Sequence, residues 1–297
     1  MIGTVFSVDQ EHLQRANGMF FYPTETGGFW TYFIQSFLIL SNAVLLNAVF
    51  NSHEFLDKNT YIISLIYVVM TPMFVPLNQF SPVLFAHFFM IATLSVIFHL
   101  KQNTDGKMTV FNAGVLISFA IIALPYLLIL IPFILIMNVI IRPFLWRELF
   151  LCLAGMSIPL IYYFSYLFLF DQFQFHWSFP NWSFHQYSKA WNEYPMAILF
   201  FILLLISLFS LGARMLKSSL RLKKQIQMLG LLFTALIIIG SIDFYLSGTL
   251  TYLSLAIIPL SYFLTYAFLS KRSGILANIF FYLTALYSFV KFFISFT

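Results

Sequence analysis

Few side chains in this sequence can move a proton or fix a charge, and they are unevenly spread. Asp9 and Glu11 stand close together near the start, followed by His12 and Arg15. Asp243 interrupts an otherwise apolar run. The stretch DQFQFHWSFPNWSFHQYSKAWNE, residues 171–193, holds Asp171, His176, Trp177, Trp182, His185 and Trp191. Carboxylates beside imidazoles are the parts of an acid–base site, and indole faces suit stacking on a sugar ring. Asp9, Glu11 and Asp243 are therefore candidate catalytic groups, and the six residues just named in 171–193 are candidate substrate-binding groups. An ionisable residue within a membrane span is costly and commonly functional, although Asp243 lies close enough to the end of its run at Leu246 to reach water. Cations form a third group. Arg214, Lys217, Arg221, Lys223 and Lys224 alternate with Leu216, Leu220 and Ile226. That is the pattern of a short interfacial helix meeting acidic lipid headgroups at about 1 kcal/mol per basic residue.

Other chemistry is excluded by what the sequence lacks. It contains no GxxxxGK[ST] loop, no GxGxxG, no HExxH and no paired CxxC, so nucleotide hydrolysis and zinc-protease chemistry have no support. One cysteine, Cys152, cannot make an internal disulfide. His87 and His99 share one apolar run, but their spacing on a helix corresponds to about 18 Å, too far to hold one metal. Each reads as a histidine satisfied by its neighbours. No metal or cofactor is expected, save a divalent metal if the chain is a transferase, and no nucleic-acid partner. Asn42, Asn47, Asn112 and Asn138 are expected to hydrogen-bond between helices, at about 0.6 kcal/mol each.

The elements that position these groups follow from composition. Hydrophobic residues make up 61% of the 297 positions and charged residues 8%, against about 25% charged in a soluble domain. Such a chain cannot cover itself with a polar surface, so lipid must cover it. The apolar runs lack the period of two that a membrane barrel requires, which leaves an all-α, polytopic membrane protein. Ten apolar segments stand out: Trp30–Phe50, Tyr61–Pro76, Pro82–Leu100, Thr109–Ala123, Leu124–Ile141, Leu149–Phe170, Tyr194–Leu211, Met228–Leu246, Leu250–Ser270 and Ile275–Phe296. The division at Leu124-Pro125 has no polar turn, so nine spans are the alternative. Pro125 and Pro132 remove backbone donors and permit a break or kink there.

Cytoplasmic loops are enriched in Lys and Arg. With ten spans, the basic segment, Lys271-Arg272, Lys58, Lys101, Lys107, Arg142 and Arg147 share one side, leaving Arg15, Lys189 and Lys291 on the other. Nine spans would move Lys58, Lys101 and Lys107 outside, so ten is preferred. All five tryptophans then fall at interfaces, the depth that indoles favour. The organisation expected is an external segment 1–29, a helical bundle 30–170, an external aromatic loop 171–193, and C-terminal helices 194–297 carrying the basic segment 213–228. No secretory signal is visible in the first 27 residues.

The runs Phe111-Asn112-Ala113-Gly114-Val115-Leu116-Ile117-Ser118-Phe119-Ala120, Leu124-Pro125-Tyr126 and Arg142-Pro143-Phe144-Leu145-Trp146-Arg147-Glu148 resemble a family of polytopic inner-membrane proteins of Gram-negative bacteria that bears only a domain-of-unknown-function label. The likeness covers Phe20 to about Asp171 and implies the bacterial inner membrane, but no activity. In its order of elements the chain is also distantly similar to the multi-helix polyprenyl-phosphate-sugar glycosyltransferases. That similarity implies a lipid-linked sugar substrate and an acidic pair in an outer segment, which Asp9 and Glu11 would match. Two departures stand against it: that superfamily has a helix before its acidic loop, and its acidic residues are adjacent, where this chain reads Asp9-Gln10-Glu11.

Three functions fit. The first is a non-catalytic subunit or scaffold of a cell-envelope assembly, with anionic lipids and other membrane proteins as partners. The alternative is an outer-face transferase of lipid-linked glycan or lipid, and a further alternative is a transporter. The topology is directly testable. Reporter fusions at Lys107, Lys223 and Ser273 are expected to read cytoplasmic, and fusions at Trp182 and Gly248 external. Lys107 reading external while the others hold would establish nine spans.

Overall fold

A backbone surrounded by hydrocarbon has to satisfy its own N–H and C=O groups, and this chain does so with helices. The computed structural model describes residues 29–56, 59–74, 81–100, 106–141, 146–169, 194–215, 218–247, 250–269 and 274–296. Among the described residues there is no strand. In chain order the helices are α1 (Phe29–Ser52), α2 (Ile62–Met70, extended by a 3-10 turn over Thr71–Met73), α3 (Pro82–Phe98), α4 (Lys107–Ala123), a 3-10 stretch Pro125–Leu130 leading into α5 (Ile131–Ile141), α6 (Trp146–Leu169), α7 (Tyr194–Met215), α8 (Leu220–Ser247), α9 (Thr251–Ser254), α10 (Ile257–Leu269) and α11 (Gly274–Phe296).

Prolines set several of these boundaries. Leu124, which precedes Pro125, is extended (φ −135°, ψ 97°), because the proline ring disfavours the helical region for the residue before it. The long apolar run 109–141 is broken there. Ser81, before Pro82, is likewise extended (φ −142°, ψ 158°), and Pro82 takes the first turn of α3, where its missing N–H has no partner to lose.

Among the described residues, four helices are long and apolar enough to cross a membrane: Tyr32–Ser52, Trp146–Leu169, Leu220–Tyr245 and Thr251–Phe268. That is fewer than the ten segments expected. Ile62–Met73, Pro82–Phe98, Lys107–Ala123 and Pro125–Ile141 are apolar but run only 10–17 residues. At 1.5 Å per residue, even the longest of these reaches about 26 Å, short of a hydrocarbon core about 30 Å thick. Apolar composition counts residues that the prolines then remove from the helix. The short interfacial helix expected at 213–228 is not a separate element either. Its second half opens the 28-residue α8, since Leu, Lys, Gln and Met are all good helix formers with nothing to stop them.

At the centre lies α10. Every position from Ser254 to Ala267 is buried, the property of a helix enclosed by other helices, and it packs on α2, α7, α8 and α11. Three i→i+3 hydrogen bonds, Leu255 N–H to Tyr252, Ala256 N–H to Leu253 and Ile258 N–H to Leu255, join α9 to it. The perimeter is the reverse. α1 exposes Phe33, Phe37, Leu40 and Val44, α6 exposes Phe150, Ile161, Tyr162 and Phe168, and α11 exposes Ile279, Tyr282, Leu286 and Phe289. An apolar surface this continuous needs lipid against it.

The closest helix pair is α4 with α6. A Cβ on Gly114 would be driven into the Cys152 carbonyl oxygen, and one on Gly155 into the Phe111 carbonyl oxygen. The two backbones touch because neither glycine holds them apart, the way small residues bring membrane helices together. Gly155→Leu is therefore expected to lower stability by about 1–3 kcal/mol, as overpacking does. Gly230→Ala, with open space at its Cβ, is expected to be neutral or stabilising by up to about 1 kcal/mol. Thermal unfolding of both variants in detergent reads the contrast.

Candidate functional site

The buried polar side chains converge on α9 and the start of α10. Tyr67 of α2 is fully buried, as is His87 of α3. The Tyr67 hydroxyl lies 2.8 Å from His87 Nδ1, and His87 Nε2 lies 3.4 Å from Ser254 Oγ. The Ser254 hydroxyl donates its one proton to the Thr251 carbonyl at 2.6 Å, so toward His87 its oxygen acts as acceptor. His87 must then carry its proton on Nε2, leaving Nδ1 to accept from Tyr67. The bonds run one way: Tyr67 to His87, His87 to Ser254, Ser254 to the Thr251 carbonyl. Asn42 of α1 sits beside the Tyr67 hydroxyl and donates its amide to the Leu84 carbonyl at 3.0 Å. Four separate helices are thereby tied together.

Asp243 stands next to the far end of this chain. It is 3% exposed, and its Oδ2 accepts the Tyr252 backbone N–H at 3.5 Å. A carboxylate in that position meets the unpaired amides that open a helix, here α9. Tyr252 in turn accepts the Tyr126 backbone N–H on its hydroxyl at 3.3 Å, with the two rings 5.3 Å apart. Asp243 thus sits where α8, α9 and the turn after α4 meet.

The other candidates fare variously. Asp9, Glu11, Asp171, His176, Trp177, Trp182, His185, Trp191 and Lys217 lie outside the described residues, as does the Arg214 side chain. Arg221 is exposed at the start of α8, with Lys223 and Lys224 part-buried beside it. Lys224 is engaged within the protein, since its Nζ donates to the Ile141 carbonyl at 3.0 Å and so answers the last turn of α5. Asn42 makes the interhelical bond expected of it. Asn138 reaches Cys152 Sγ of α6 at 3.9 Å, whereas Asn112 faces outward. His87 and His99 are both satisfied by neighbours, His99 through its Nδ1 and the Ser95 carbonyl at 2.6 Å. Tyr67 and Ser254 escaped notice in the sequence because a lone hydroxyl in an apolar run carries no signal of its own. Among the described residues no three His, Cys, Asp or Glu side chains come together to hold a metal.

The chain belongs to the family of unknown function DUF6427, whose model matches residues 21–296. The match runs through the C-terminal helices, well past the Phe20–Asp171 stretch that carried the resemblance. Neither the curated proteins nor the solved structures give a match.

Removing one partner of a buried hydrogen bond costs more than removing both, because the orphan keeps its desolvation penalty. Tyr67→Phe orphans His87 Nδ1 and is expected to cost about 1–3 kcal/mol. The double variant Tyr67→Phe, His87→Leu is expected to cost less than the two singles together, with a coupling of about 0.5–3 kcal/mol. Thermal unfolding of the four proteins measures it, and strict additivity would show that the pair does not interact.

Proposed function

We propose that this protein is a non-catalytic scaffold subunit of a cell-envelope assembly in the bacterial inner membrane, crossing the bilayer with ten apolar segments. The observation that carries this reading is how its internal polar groups are used. Tyr67, His87, Ser254 and Asn42 fasten α1, α2, α3 and α9 to one another. The Ser288 hydroxyl of α11 donates to the Val69 carbonyl of α2 at 2.7 Å, and the Tyr266 hydroxyl of α10 donates to the Phe55 carbonyl at 3.0 Å. Asp243, the one candidate acid among the described residues, is engaged with the Tyr252 amide. These bonds build a rigid bundle whose apolar perimeter is left for lipid and for partner membrane proteins.

Support for ten segments comes from which ends lie together. His53, His99 and Arg221 are neighbours, and Lys224 reaches Ile141. The ends of α1, α3 and α5 therefore share a side with the start of α8. Tyr126, just past α4, meets Tyr252 just past α8. The chain turns back at Leu124, and Lys107 falls on the basic side.

A second reading, proton-coupled transport, draws on the one-way hydrogen-bond chain from Tyr67 to the Thr251 carbonyl, the form a proton relay takes. The transferase reading keeps its sequence support and would make a polyprenyl-phosphate-linked sugar the substrate.

Complementation of a deletion strain separates them. Asp243→Asn keeps an oxygen to accept the Tyr252 N–H while removing the charge, and Asp9→Asn and Glu11→Gln are equally conservative. All three are expected to complement fully, with the protein co-purifying with a stoichiometric membrane partner, and charge reversal at Arg221, Lys223 and Lys224 is expected to be damaging. Loss of function in any amide variant, at unchanged protein level in the membrane, would sink the scaffold reading in favour of an enzyme. Proton uptake by proteoliposomes that His87→Leu abolishes would establish transport.

A further inference from the structure

At the basic end of the bundle a histidine is buried with neither ring nitrogen in a formed hydrogen bond. His53 follows α1 directly, and its position is set by a Schellman motif. The Phe55 N–H bonds to the Phe50 carbonyl, the Glu54 N–H to the Asn51 carbonyl, and Glu54 takes the left-handed conformation at φ 54°. The accompanying apolar contact is present, with the Phe50 and Phe55 rings stacked 5.3 Å apart. This turn sends Glu54 outward and His53 inward, where it is 4% exposed and neither ring nitrogen has a hydrogen-bond partner. Its ring stands 4.4 Å from that of His99, nearly perpendicular, and 5.5 Å from Phe98.

Around His53 stand the Ser95 carbonyl, the His99 ring and the first turns of α8. His99 spends its Nδ1 on the Ser95 carbonyl, leaving Nε2 as its remaining polar atom. Arg221 of α8 lies close enough for its charge to act on His53. One turn further along the same face of α8, a spacing of four residues, Gln225 is 3% exposed and its side-chain Nε2 is also without a partner. The carbonyl ends nearby are already answered, α1 by its Schellman bonds, α3 by His99 and α5 by Lys224. A buried histidine with both ring nitrogens unpartnered is uncommon in native proteins, and an unfilled ligand position is one explanation. A negatively charged acceptor would answer the Arg221 charge, the Gln225 amide and the His53 N–H together.

We propose that His53, His99, Arg221 and Gln225 form a binding site for a phosphate group, carried either by an acidic lipid headgroup or by free phosphate. Arg221 supplies the planar fork that suits phosphate oxygens, while His53, the Gln225 amide and, once it gains a second proton, His99 supply N–H bonds. The site goes beyond the scaffold reading and stands whether or not that reading holds.

A pH signature follows. Burial above all, with the neighbouring His99 ring and the Arg221 charge, pushes His53 down from 6.5 to about 4, with the Ser95 carbonyl opposing. Without ligand His53 is neutral in the folded chain. Its contribution to stability is then full above 6.5 and is lost as the pH falls toward 4, because the unfolded chain takes up a proton that the folded one refuses. A bound phosphate reverses this by favouring the charged imidazole, so binding takes up a proton and strengthens as the pH falls.

The test uses the full chain in a phosphate-free, uncharged detergent, with chloride matching the ionic strength. Inorganic phosphate is expected to raise the melting temperature, more at pH 6 than at pH 8. Arg221→Gln is expected to weaken the apparent Kd by about tenfold or more, the loss of a charge-assisted hydrogen bond, while Lys223→Gln changes it by less than about twofold. Nitrogen NMR of the unaltered protein, labelled at histidine, keeps the test independent of variant folding. The His53 midpoint is expected to rise by about one pH unit or more with phosphate, as a nearby opposite charge requires. Nanodiscs of anionic phosphatidylglycerol and of zwitterionic phosphatidylcholine identify the source. A rise with phosphatidylglycerol alone supports a lipid headgroup, and a rise with inorganic phosphate alone supports free phosphate. A His53 midpoint that moves with neither probe overturns the proposal.

Discussion

Water is absent from the middle of a bilayer, so a polar atom buried there bonds to the protein or bonds to nothing. That constraint organises the interior. The longest buried hydrogen-bond chain runs from Tyr67 through His87 and Ser254 to the Thr251 carbonyl. Each member is held by a partner on a different element, so none can shift without stranding another. Ordinary apolar packing would tolerate sliding of one helix past its neighbour. Directional bonds from a tyrosine, an imidazole and a hydroxyl do not, and they set the register of α2, α3 and α9.

The same constraint accounts for the short elements. Pro125 forces Leu124 out of the helical region, and the freed backbone groups have to find partners nearby. They do so with i→i+3 bonds in the Pro125–Leu130 stretch and with the bond from Tyr126 N–H to the Tyr252 hydroxyl. Broken helix is tolerated where other protein covers it. Leu127 and Leu130 are buried, and Tyr252 closes the gap. The bond from Asp243 to the Tyr252 amide belongs to the same repair. A carboxylate at that depth is an expense the bundle uses to start α9, and any further role for Asp243 has to be compatible with that bond.

The two ends of the bundle differ in kind. At the Asp243 end, Asp243 pairs with Tyr252, Tyr252 with Tyr126, and Ser254 with Thr251. At the basic end, His53 and Gln225 keep unpaired atoms beside Arg221, and there the protein is chemically incomplete.

Class and helical character were legible from composition, because 8% charge cannot cover a water-facing surface whatever the fold. The break at Leu124-Pro125 was legible for a local reason, the clash between a proline ring and the residue before it. Asn42 and the satisfied state of His87 followed from what a polar group in lipid must do. Their partners did not, because Tyr67, His87 and Ser254 are far apart along the chain and carry no shared spacing. The α-helical length of the segments Tyr61–Pro76, Leu124–Ile141 and Leu250–Ser270 was overestimated, since apolar runs do not reveal where 3-10 turns and breaks shorten them. The site at His53 was invisible for the same reason as the Tyr67 chain. Its histidine, its second imidazole and its arginine come from three elements, and only packing brings them within reach of one ligand. Sequence alone determined that the chain is built for a membrane, because that depends on a sum over residues. Which polar atoms meet, and which are left without a partner, was decided by tertiary structure, because hydrogen bonds depend on position to within a fraction of an ångström.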